Sequence, residues 1–344
     1  MTNQPTILVT GGAGYIGSHT VAALLETTNY RIISVDNYSN SSEASYQRIE
    51  KAAGRKPEYT VADLSNADEV NALFAAYPGI TGIIHFAAYK SVPESVQHPL
   101  MYYRNNMNSL ANVLEAGERA GVKHLIFSSS CSIYGNINTL PVNEETPAGV
   151  TESPYAYTKV LGERMLEDFS RSGTALKSIA LRYFNPVGAY PGGIMGELPN
   201  QRPNNLVPVI TQTAIGKIQE MQVFGNDYPT RDGTCIRDYI HVCDIAEAHV
   251  LALNYLMENE TAKAYDVFNL GSGSGVTVLE AIDTFENVSG QKLRYKIAPR
   301  RAGDVTAIYS DSRKAAEILN WKPKRDIVEM MSSAWKWECL LAKT

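Results

Sequence analysis

The sequence predicts an α/β protein built on a doubly wound, mostly parallel sheet, with a smaller α/β domain interleaved into it. Between Thr6 and about Tyr183, short apolar runs alternate with helical stretches, and no low-complexity linker interrupts them. A chain of 344 residues is too long for one ordinary core and fits two lobes. Between Asn185 and Asn205 the composition turns to Pro, Gly and Asn, which predicts the passage into the second lobe.

Six short runs of apolar or β-branched residues are the candidate strands of the large sheet. They are Thr6–Val9, Arg31–Val35, Tyr59–Val61, Gly82–Phe86, His124–Ser128 and Ser178–Tyr183. A seventh run, Tyr265–Leu270, follows the entry into the second lobe, so we expect the lobes to be interleaved. We place the first domain at 1–185 with returning segments near 236–271, and the second at 186–344. Ligands are expected at the carboxyl ends of such strands.

Regularly spaced glycines end the first apolar run. The stretch Thr6–Gly17 reads TILVTGGAGYIG, and helical spacing resumes directly after it. Gly11 allows a tight turn, Gly14 lets backbone N–H groups approach a pyrophosphate, and Gly17 lets the helix pack close to the strand. The pattern reads as G-x-x-G-x-x-G or, through Gly12, as G-x-G-x-x-G. Both predict a Rossmann-type phosphate-binding turn at a helix N-terminus.

An acid follows the second apolar run near the offset typical of a ribose-binding residue. The run from Arg31 to Val35 ends in Asp36, roughly 20 residues after the glycine turn. A carboxylate there accepts hydrogen bonds from both ribose hydroxyls and repels a 2′-phosphate. The sequence therefore predicts NAD rather than NADP. For Asp36 taken alone, a plain turn residue after a strand is the alternative.

Tyr155 and Lys159 lie four residues apart on a predicted helix that begins near Pro154, so they share one face. They form the only Y-x-x-x-K in the chain, and they follow the strand whose serine run closes with Ser130. A nearby ammonium lowers the pKa of a phenol, as does the positive nicotinamide of an oxidised cofactor, so Tyr155 can take a hydroxyl proton near neutral pH. The Ser130 hydroxyl can bind the same oxygen. A solvated helix pair beside a serine-rich turn is the alternative.

Charge and composition argue against several other classes. A net charge of −5 and a pI near 5.8 argue against a general affinity for nucleic acid or anionic membranes. We expect a soluble, cytoplasmic protein, because the first strand begins near Thr6 and no apolar run approaches the ~18 residues of a bilayer span. Spacing predicts neither a disulfide framework nor a metal site. The residues concerned are Cys131, Cys235, Cys243 and Cys339, and His19, His85, His124, His241 and His249, which we expect to be satisfied histidines at strand and helix ends.

Longer runs then occur together and in order along the chain. They are GGAGYIG, DNYSN, IHFAAYKSVPESV, FSSSCSIYG, SPYAYTK, LRYFNPVGA, NNLVPVI, GNDYPTRDGTCIRDYIHV and APRRAGD. Through them the chain resembles, from end to end, the extended short-chain dehydrogenase/reductase superfamily and, within it, the family that epimerises UDP-hexoses at carbon 4. The resemblance implies an isomerase that interconverts UDP-galactose and UDP-glucose with NAD, through a 4-keto sugar and hydride return to the opposite face. It also implies an NAD-binding first domain and a UDP-sugar-binding second domain.

The resemblance further implies roles for individual residues. It implies that Tyr155 is the catalytic acid and base, that Lys159 binds the nicotinamide ribose and that Ser130 bonds the sugar 4-oxygen. Besides these three, the implied cofactor-binding residues are Gly11, Gly14, Tyr15, Ile16, Asp36, Asn37, Asn40, Ser41, Asp63, Leu64, Phe86, Ala87, Lys90, Asn105 and Tyr183. Besides Ser130 and Tyr155, the implied UDP-sugar-binding residues are Lys90, Phe184, Asn185, Asn205, Leu206, Phe224, Arg237, Tyr239, Arg301 and Asp304. The two arginines suit a diphosphate through their fork-like donors.

Two positions depart from the family's pattern. Ile308 aligns with a wall of the sugar pocket, where Tyr accompanies restriction to UDP-glucose and UDP-galactose and smaller residues accompany N-acetylated sugars. We therefore expect slower turnover of UDP-N-acetylglucosamine and UDP-N-acetylgalactosamine. Cys131 replaces a small apolar residue, and its thiol is either simply buried or open to alkylation.

A homodimer is expected from one long helix. Its apolar stripe, together with the Tyr155 helix, resembles the four-helix dimer interface of the family. The stripe comprises Leu100, Tyr103, Met107, Leu110 and Leu114.

Three rival functions conflict with particular residues. Dehydratases of the same superfamily carry an Asp-Glu pair after the catalytic hydroxyl, where this sequence has Cys131-Ser132. A reductase that uses NADPH would avoid a carboxylate such as Asp36. An NAD-sensing binding protein without catalysis has no need for the Ser, Tyr and Lys set.

Overall fold

The computed structural model describes residues 4–137, 139–198, 203–301 and 304–343. Its strands are β1 (Thr6–Thr10), β2 (Arg31–Asp36), β3 (Glu58–Val61), β4 (Ile80–His85), β5 (His124–Ser130), β6 (Lys177–Tyr183), β7 (Asn185–Val187), β8 (Met221–Phe224), β9 (Ile236–His241), β10 (Tyr265–Leu270), β11 (Gly275–Thr277), β12 (Tyr295–Ala298) and β13 (Ala307–Ile308). Its helices are α1 (Tyr15–Thr27), α2 (Ala44–Ala53), α3 (Ala67–Ala76), α4 (Val92–Gln97), α5 (Pro99–Arg119), α6 (Pro154–Arg171), α7 (Leu206–Ala214), α8 (Val242–Glu258), α9 (Val278–Ser289), α10 (Arg313–Ile318) and α11 (Ile327–Leu341). None of these helices combines the length and the hydropathy that crossing a bilayer requires.

Seven parallel strands form the large sheet, in the order β10-β6-β5-β4-β1-β2-β3. All six predicted strands and the returning seventh are present, each within two residues of its predicted bounds. The strand order reverses between β1 and β4, which is the point where α/β sheets of this kind bind ligands. The doubly wound prediction is therefore confirmed.

Helices cover both faces of this sheet, as a parallel sheet requires. On one face α1 and α8 pack through residues such as Val21 and Leu253. On the other, α3, α5 and α6 pack through residues such as Val70, Leu110 and Leu166. The sheet is thereby held rigidly, and its carboxyl edge is the surface left for site residues.

The predicted apolar stripe of α5 divides between two environments. Leu110 and Leu114 are buried in the core against the sheet. Leu100, near the start of the helix, is 66% exposed. One outward-facing stripe is therefore wrong for the second half of α5, because that half is where the helix crosses the sheet. Tyr103 lies between these ends and meets Tyr157 of α6 edge-on, with 6.4 Å between ring centroids.

The second lobe holds two small sheets. At the centre of one lies β9, which pairs antiparallel with β11 and parallel with β13 and β7, while β8 and β12 form the other. Helices α7, α9 and α11 pack around Ile210, Phe285 and Met331. The chain returns to the large sheet through α8 and β10, and Ala315 of α10 packs into the same core. Strand β9 begins the segment 236–271 that was expected to return to the first domain. It lies instead in a sheet of the second lobe.

Candidate active site

The glycine turn joins β1 to α1 and touches the end of β4. Gly11 has a φ of +69°, and a Cβ there would lie 2.9 Å from the Ala87 nitrogen. A Cβ on Gly17 would overlap the Gly11 carbonyl oxygen, so the turn folds back on the helix only with glycine there. No side chain caps α1 at Gly14, which leaves its first N–H groups for an anion. This cradle fits the pyrophosphate of a dinucleotide.

Asp36 is buried at the end of β2, beside the glycine turn. One carboxylate oxygen accepts the Ala13 N–H at 3.0 Å. The other accepts the Tyr38 N–H at 2.9 Å and the Ser41 hydroxyl at 2.7 Å. These bonds fix a carboxylate next to the phosphate cradle, and such a carboxylate repels a 2′-phosphate. The arrangement fits NAD.

The predicted catalytic residues stand where β5 ends and α6 begins. Ser153 caps α6 by accepting the Ala156 N–H at 3.2 Å, and Pro154 takes the first helical position. The helix therefore begins directly before Tyr155. Lys159 follows one turn later on the same face.

Lys159 carries a buried ammonium with only 4% of the residue exposed. Its Nζ donates to the Ser128 carbonyl at 2.7 Å and lies 4.9 Å from the Phe127 ring centre and 5.9 Å from that of Tyr155. Burial lowers the pKa of Lys159 to about 8, and the Glu163 carboxylate opposes that shift. Lys159 is thus a fixed cation that loses its charge in mildly alkaline solution.

Burial raises the pKa of Tyr155 to about 12, and interaction with the Ser130 hydroxyl lowers it. Lys159 makes no hydrogen bond to the phenol that would add to this lowering, because its ammonium donates to the Ser128 carbonyl. Ser130 is oriented by the Ser132 N–H, which it accepts at 3.2 Å. The phenol therefore needs a further positive charge beside it before it can act as a base.

A buried ion pair lies behind these residues. Arg182 on β6 donates to both oxygens of Glu163 on α6, at 2.9 and 2.6 Å, with side chains 10% and 9% exposed. Glu163 also accepts the Ser129 hydroxyl at 2.5 Å, and Arg182 donates to the Tyr134 hydroxyl at 3.0 Å. The pair fixes the Lys159 helix to β6, and the Ser129 bond fixes it to β5, the strand that carries the serines. Sequence reasoning missed it, although an acid one turn after Lys159 was an available signal.

The charged residues predicted to hold a diphosphate come together on the second lobe. Asp304 lies 2.9 Å from the Arg301 guanidinium and 3.6 Å from that of Arg237. Arg237 also donates to the Val305 carbonyl at 2.7 Å, which holds it in place. Arg301 is more loosely held, with its side chain 44% exposed and its guanidinium carbon 5.4 Å from the Phe224 ring centre. Two adjacent guanidinium groups are what a diphosphate requires.

Helix α7 begins without a side-chain cap, although Asn205 occupies the capping position. The Asn205 amide donates instead to Glu197 at 3.0 Å, and the same carboxylate oxygen contacts Lys90 Nζ at 3.2 Å. Pro208, the third helical residue, has no N–H for a cap to bind. Among the described residues, no side chain therefore binds the first N–H groups of α7, that of Leu206 included. Glu197 was not predicted, because its Pro- and Asn-rich segment has no periodic pattern.

The other predicted cofactor residues lie mostly where strands of the large sheet end. Asn37, Asn40 and Ser41 follow β2, Asp63 and Leu64 follow β3, Phe86 and Ala87 follow β4, Lys90 precedes α4, Tyr183 ends β6, Tyr15 and Ile16 begin α1, and Asn105 lies on α5. The Tyr183 hydroxyl bonds that of Ser128, and the Tyr15 hydroxyl donates to the Gly188 carbonyl at 2.6 Å. The large sheet thus brings most of the predicted cofactor residues to one edge.

Three predicted substrate residues are packed more tightly than the others. Phe184 and Tyr239 are buried, and the Asn185 amide donates to the Asp238 carbonyl at 3.1 Å. Burial also raises the pKa of Tyr239. Burial and this hydrogen bond hold the three side chains in place.

Ile308 is buried in an apolar cluster with Phe184, against which Cys131 packs. In the strand register Ile308 stands opposite Arg237. Ile308, predicted to form a wall of the sugar pocket, therefore lies between the segment that follows Ser130 and Arg237, which is predicted to bind the diphosphate. Burial raises the pKa of the Cys131 thiol to about 12, which favours a protonated thiol of low reactivity, although the residue itself is partly exposed. All four cysteines are free.

Burial lowers the pKa of five histidines: to about 4 in His19 and His249, to about 3 in His85 and His241, and also in His124. One ring nitrogen of His19, His124 and His249 is buried without a protein hydrogen-bond partner. Within the described residues, the expectation that all five are satisfied is therefore wrong at one ring nitrogen in each of these three. Within the part of the chain that the structure describes, no group of three or more His, Cys, Asp or Glu could hold a metal.

Known proteins resemble this chain over its whole length. The model of the NAD dependent epimerase/dehydratase family matches residues 7–271. A curated UDP-glucose 4-epimerase of Erwinia amylovora is 47% identical over 333 residues, 97% of each chain. The structure of UDP-glucose-4-epimerase from Stenotrophomonas maltophila with bound NAD and formylated UDP-arabinopyranose has a TM-score of 0.94 and 41% identity over 99% of both chains. That of UDP-glucose 4-epimerase from Bifidobacterium longum with NAD+ and UDP has a TM-score of 0.92 and 41% identity over 97% of this chain and 98% of that one.

Proposed function

The chain belongs to the NAD dependent epimerase/dehydratase family, and within it we propose that this protein interconverts UDP-galactose and UDP-glucose with NAD as its cofactor. One observation carries the proposal. Tyr155, Lys159 and Ser130 stand at the carboxyl edge of the same sheet that holds the glycine turn and Asp36. An acid and base, a fixed cation and a hydroxyl at a dinucleotide site are the parts that oxidation of an alcohol needs.

Each of these side chains has a step in the reaction. Tyr155 takes the proton of the sugar 4-hydroxyl and later returns it, while Ser130 holds the same oxygen by a hydrogen bond. Lys159 keeps a positive charge 5.9 Å from the Tyr155 ring centre, which favours the phenolate. Bound NAD supplies the rest of the chemistry, namely a positive ring and the acceptance and return of the carbon 4 hydride. Configuration inverts if the 4-keto sugar turns over between the two transfers.

Turning the sugar over requires that the nucleotide be held elsewhere. Arg237, Arg301 and the uncapped start of α7 are suited to hold the UDP portion, since all can donate to anionic or carbonyl oxygens. Binding energy from that remote part then retains the intermediate. We accordingly assign NAD to the lobe of the large sheet and the UDP-sugar to the second lobe.

The test is turnover by the purified protein. We expect UDP-glucose to form from UDP-galactose without added NAD, because the fixed cradle retains the cofactor through purification. Activity that appears only with added NAD would keep the reaction and reject retention. No turnover under either condition, in protein that contains NAD, would reject the proposed reaction.

We also propose a slower activity on UDP-N-acetylglucosamine and UDP-N-acetylgalactosamine. Ile308 carries no ring or phenol, yet its β-branch is stiff and it is buried against Phe184, so the added space is limited. A tyrosine ring at this position would clash with an acetamido group and exclude such substrates, whereas losing one apolar contact with the smaller sugar costs only about 1–3 kcal/mol.

The variant Ile308→Tyr tests this gate. We expect it to abolish N-acetyl turnover and to keep most of the UDP-galactose activity, measured at saturating substrate. The melting temperature must be recorded with it, because residue 308 is buried. If the unmodified enzyme lacks N-acetyl turnover, or the variant retains it, Ile308 is not the gate.

We further propose a homodimer formed through α4, α5 and α6. Apolar side chains on these helices are exposed, and a second copy would cover them. They are Val92, Val96, Leu100, Met101 and Tyr157. A monomeric mass at micromolar concentration would contradict this. The cytoplasmic location stays a prediction.

A further inference from the structure

Glu197 joins two residues that the sequence assigns to ligands. Its Oε1 accepts the Lys90 ammonium at 3.2 Å and the Asn205 amide at 3.0 Å. The carboxylate is itself held, since its side chain is only 13% exposed and the Trp337 indole donates to the Glu197 backbone carbonyl at 2.8 Å. One fixed oxygen atom therefore orders two polar side chains.

The two partners of Glu197 come from different lobes. Lys90 lies between β4 and α4 of the first lobe, with its Nζ 5.9 Å from the Tyr15 ring centre at the start of α1. Asn205 stands at the start of α7 in the second lobe. The carboxylate thus connects the lobe assigned to NAD with the lobe assigned to UDP.

Removing the carboxylate would release both partners. The Lys90 side chain is 46% exposed, and Glu197 is its ion-pair partner within the described part of the chain. The Asn205 amide would be free to rotate back and cap α7 at the Val207 N–H, as Asn commonly does at that position. That rotation would occupy an N–H group of the helix end that we assign to the nucleotide.

We propose that Glu197 is a positioning residue that holds Lys90 in place and keeps Asn205 off the N-terminus of α7, so that the nucleotide finds both ready. The inference rests on the proposed function. A carboxylate beside a diphosphate site weakens binding through charge repulsion. Its contribution must therefore be order, since donors fixed in advance lose less conformational freedom on binding.

The variant Glu197→Ala in the NAD-loaded enzyme is the main test. We expect the KM for UDP-galactose and the Kd of UDP to rise about 3- to 10-fold, which corresponds to the ordering of one or two side chains. We expect kcat to change less than about threefold, because the variant leaves Tyr155, Lys159 and Ser130 untouched. Glu197→Gln keeps an acceptor for Asn205, so it should restore most of the loss.

Glu338 offers a matched control. It lines the same cavity as Glu197 and likewise orders a lysine and a second side chain, accepting Lys217 at 2.7 Å and Thr211 at 3.3 Å. Neither partner is assigned to a ligand. Glu338→Ala should lower the melting temperature and leave the KM unchanged.

A double-variant cycle identifies the route. If Glu197 acts partly through Asn205, then Glu197→Ala should cost less in an Asn205→Ala background than in the unmodified chain. An unchanged or lowered KM in Glu197→Ala, or an equal rise in Glu338→Ala, would overturn the proposal. Calorimetric UDP binding keeps the test separate from the proposed reaction, because a protein that binds UDP without epimerising UDP-galactose would reject only the reaction.

Discussion

The two lobes hold their charged groups in different ways. In the first lobe, Lys159 and the Glu163–Arg182 pair are almost fully buried and are bound to the backbone or to each other. In the second, Arg301 is 44% exposed and shares Asp304 with Arg237. Breaking the buried Glu163–Arg182 pair is costly, whereas the partly exposed arrangement around Asp304 exchanges partners more easily. The difference suits a reaction in which the cofactor and the acid and base stay fixed while a UDP-sugar enters, turns and leaves.

Tyr155→Phe, in the first lobe, is expected to have the largest effect on turnover. We expect kcat to fall by about 10²- to 10⁴-fold, because the transferred proton has no carrier. The Kd of UDP should stay within about twofold, since its anchor lies in the other lobe. Calorimetry and the epimerase assay together measure both. Near-normal turnover would remove Tyr155 from the chemistry.

Glu163→Gln tests how costly the buried pair is to break. The change leaves the Arg182 guanidinium buried without a counter-charge, which typically costs about 3–5 kcal/mol of unfolding free energy. Urea denaturation at neutral pH measures it. A loss below about 1 kcal/mol would mean that the pair is no firmer than a solvent-exposed ion pair.

Lys159→Met tests how much the buried ammonium lowers the free energy of unfolding. Because burial lowers the pKa of Lys159 to about 8, the ammonium is disfavoured in the folded chain, so its removal should stabilise the protein. The expected gain at pH 7 is on the order of 1–3 kcal/mol, with activity lost.

The pH dependence of the unfolding free energy tests whether the pKa of Lys159 is lowered in the folded chain. Between about pH 8 and the pKa of an unfolded lysine, the unfolded chain binds more protons, so the unmodified protein gains stability as pH rises. The advantage of Lys159→Met should therefore shrink over that window and vanish near pH 10.4. Denaturation series at pH 7, 9 and 10.5 would show it, and a constant difference would contradict the assignment.

Asp304→Asn makes the corresponding change in the second lobe, where Arg237 and Arg301 share this carboxylate. Arg237 keeps its bond to the Val305 carbonyl, and Arg301 already meets solvent. Because the Asp304 and Arg237 side chains are only 14% and 17% exposed, we expect a loss of unfolding free energy above the roughly 1 kcal/mol of an exposed pair but below that of Glu163→Gln. A loss comparable to that of Glu163→Gln, in the same urea assay, would erase the contrast between the lobes.

The smallest effect is expected at Cys131. Because burial raises the pKa of its thiol to about 12, almost no thiolate exists at neutral pH. Iodoacetamide at pH 7.5 should leave the activity essentially unchanged over an hour, with the labelled fraction read by mass spectrometry. Rapid inactivation that Cys131→Ala prevents would show that the thiol is reactive.

The sequence predicted what depends on local pattern. Apolar runs located all seven strands of the large sheet, and the glycine turn, Asp36 and the Tyr155–Lys159 pair lie where strand and helix signals placed them. Such signals cannot tell which sheet a strand joins, so β9 was expected with the first lobe. They also cannot tell which neighbour an apolar stripe meets, so Leu110 was assigned to an outer surface.

The sequence also could not predict ion pairs between residues that are distant along the chain. Glu163, Arg182 and Glu197 look like ordinary surface residues in a sequence, because their partners are distant along the chain. The expectation that Lys159 lowers the pKa of Tyr155 rested on sequence spacing alone. Spacing put an ammonium near the phenol, but only the fold directs that ammonium to the Ser128 carbonyl.

The position of β10 in the chain has a consequence for synthesis on the ribosome. The strand it pairs with, β6, ends at Tyr183, whereas β10 begins at Tyr265. At 5–20 residues per second, roughly 4–16 s pass between them, during which β6 is an open edge strand with unpaired backbone groups. Helix α8, which covers one face of the sheet, is also made in that interval. The first lobe therefore starts folding first and finishes only after β9 of the second lobe has left the ribosome. A nascent chain that stalls after β6 has emerged and before α8 has formed exposes both an unpaired edge and an uncovered apolar face.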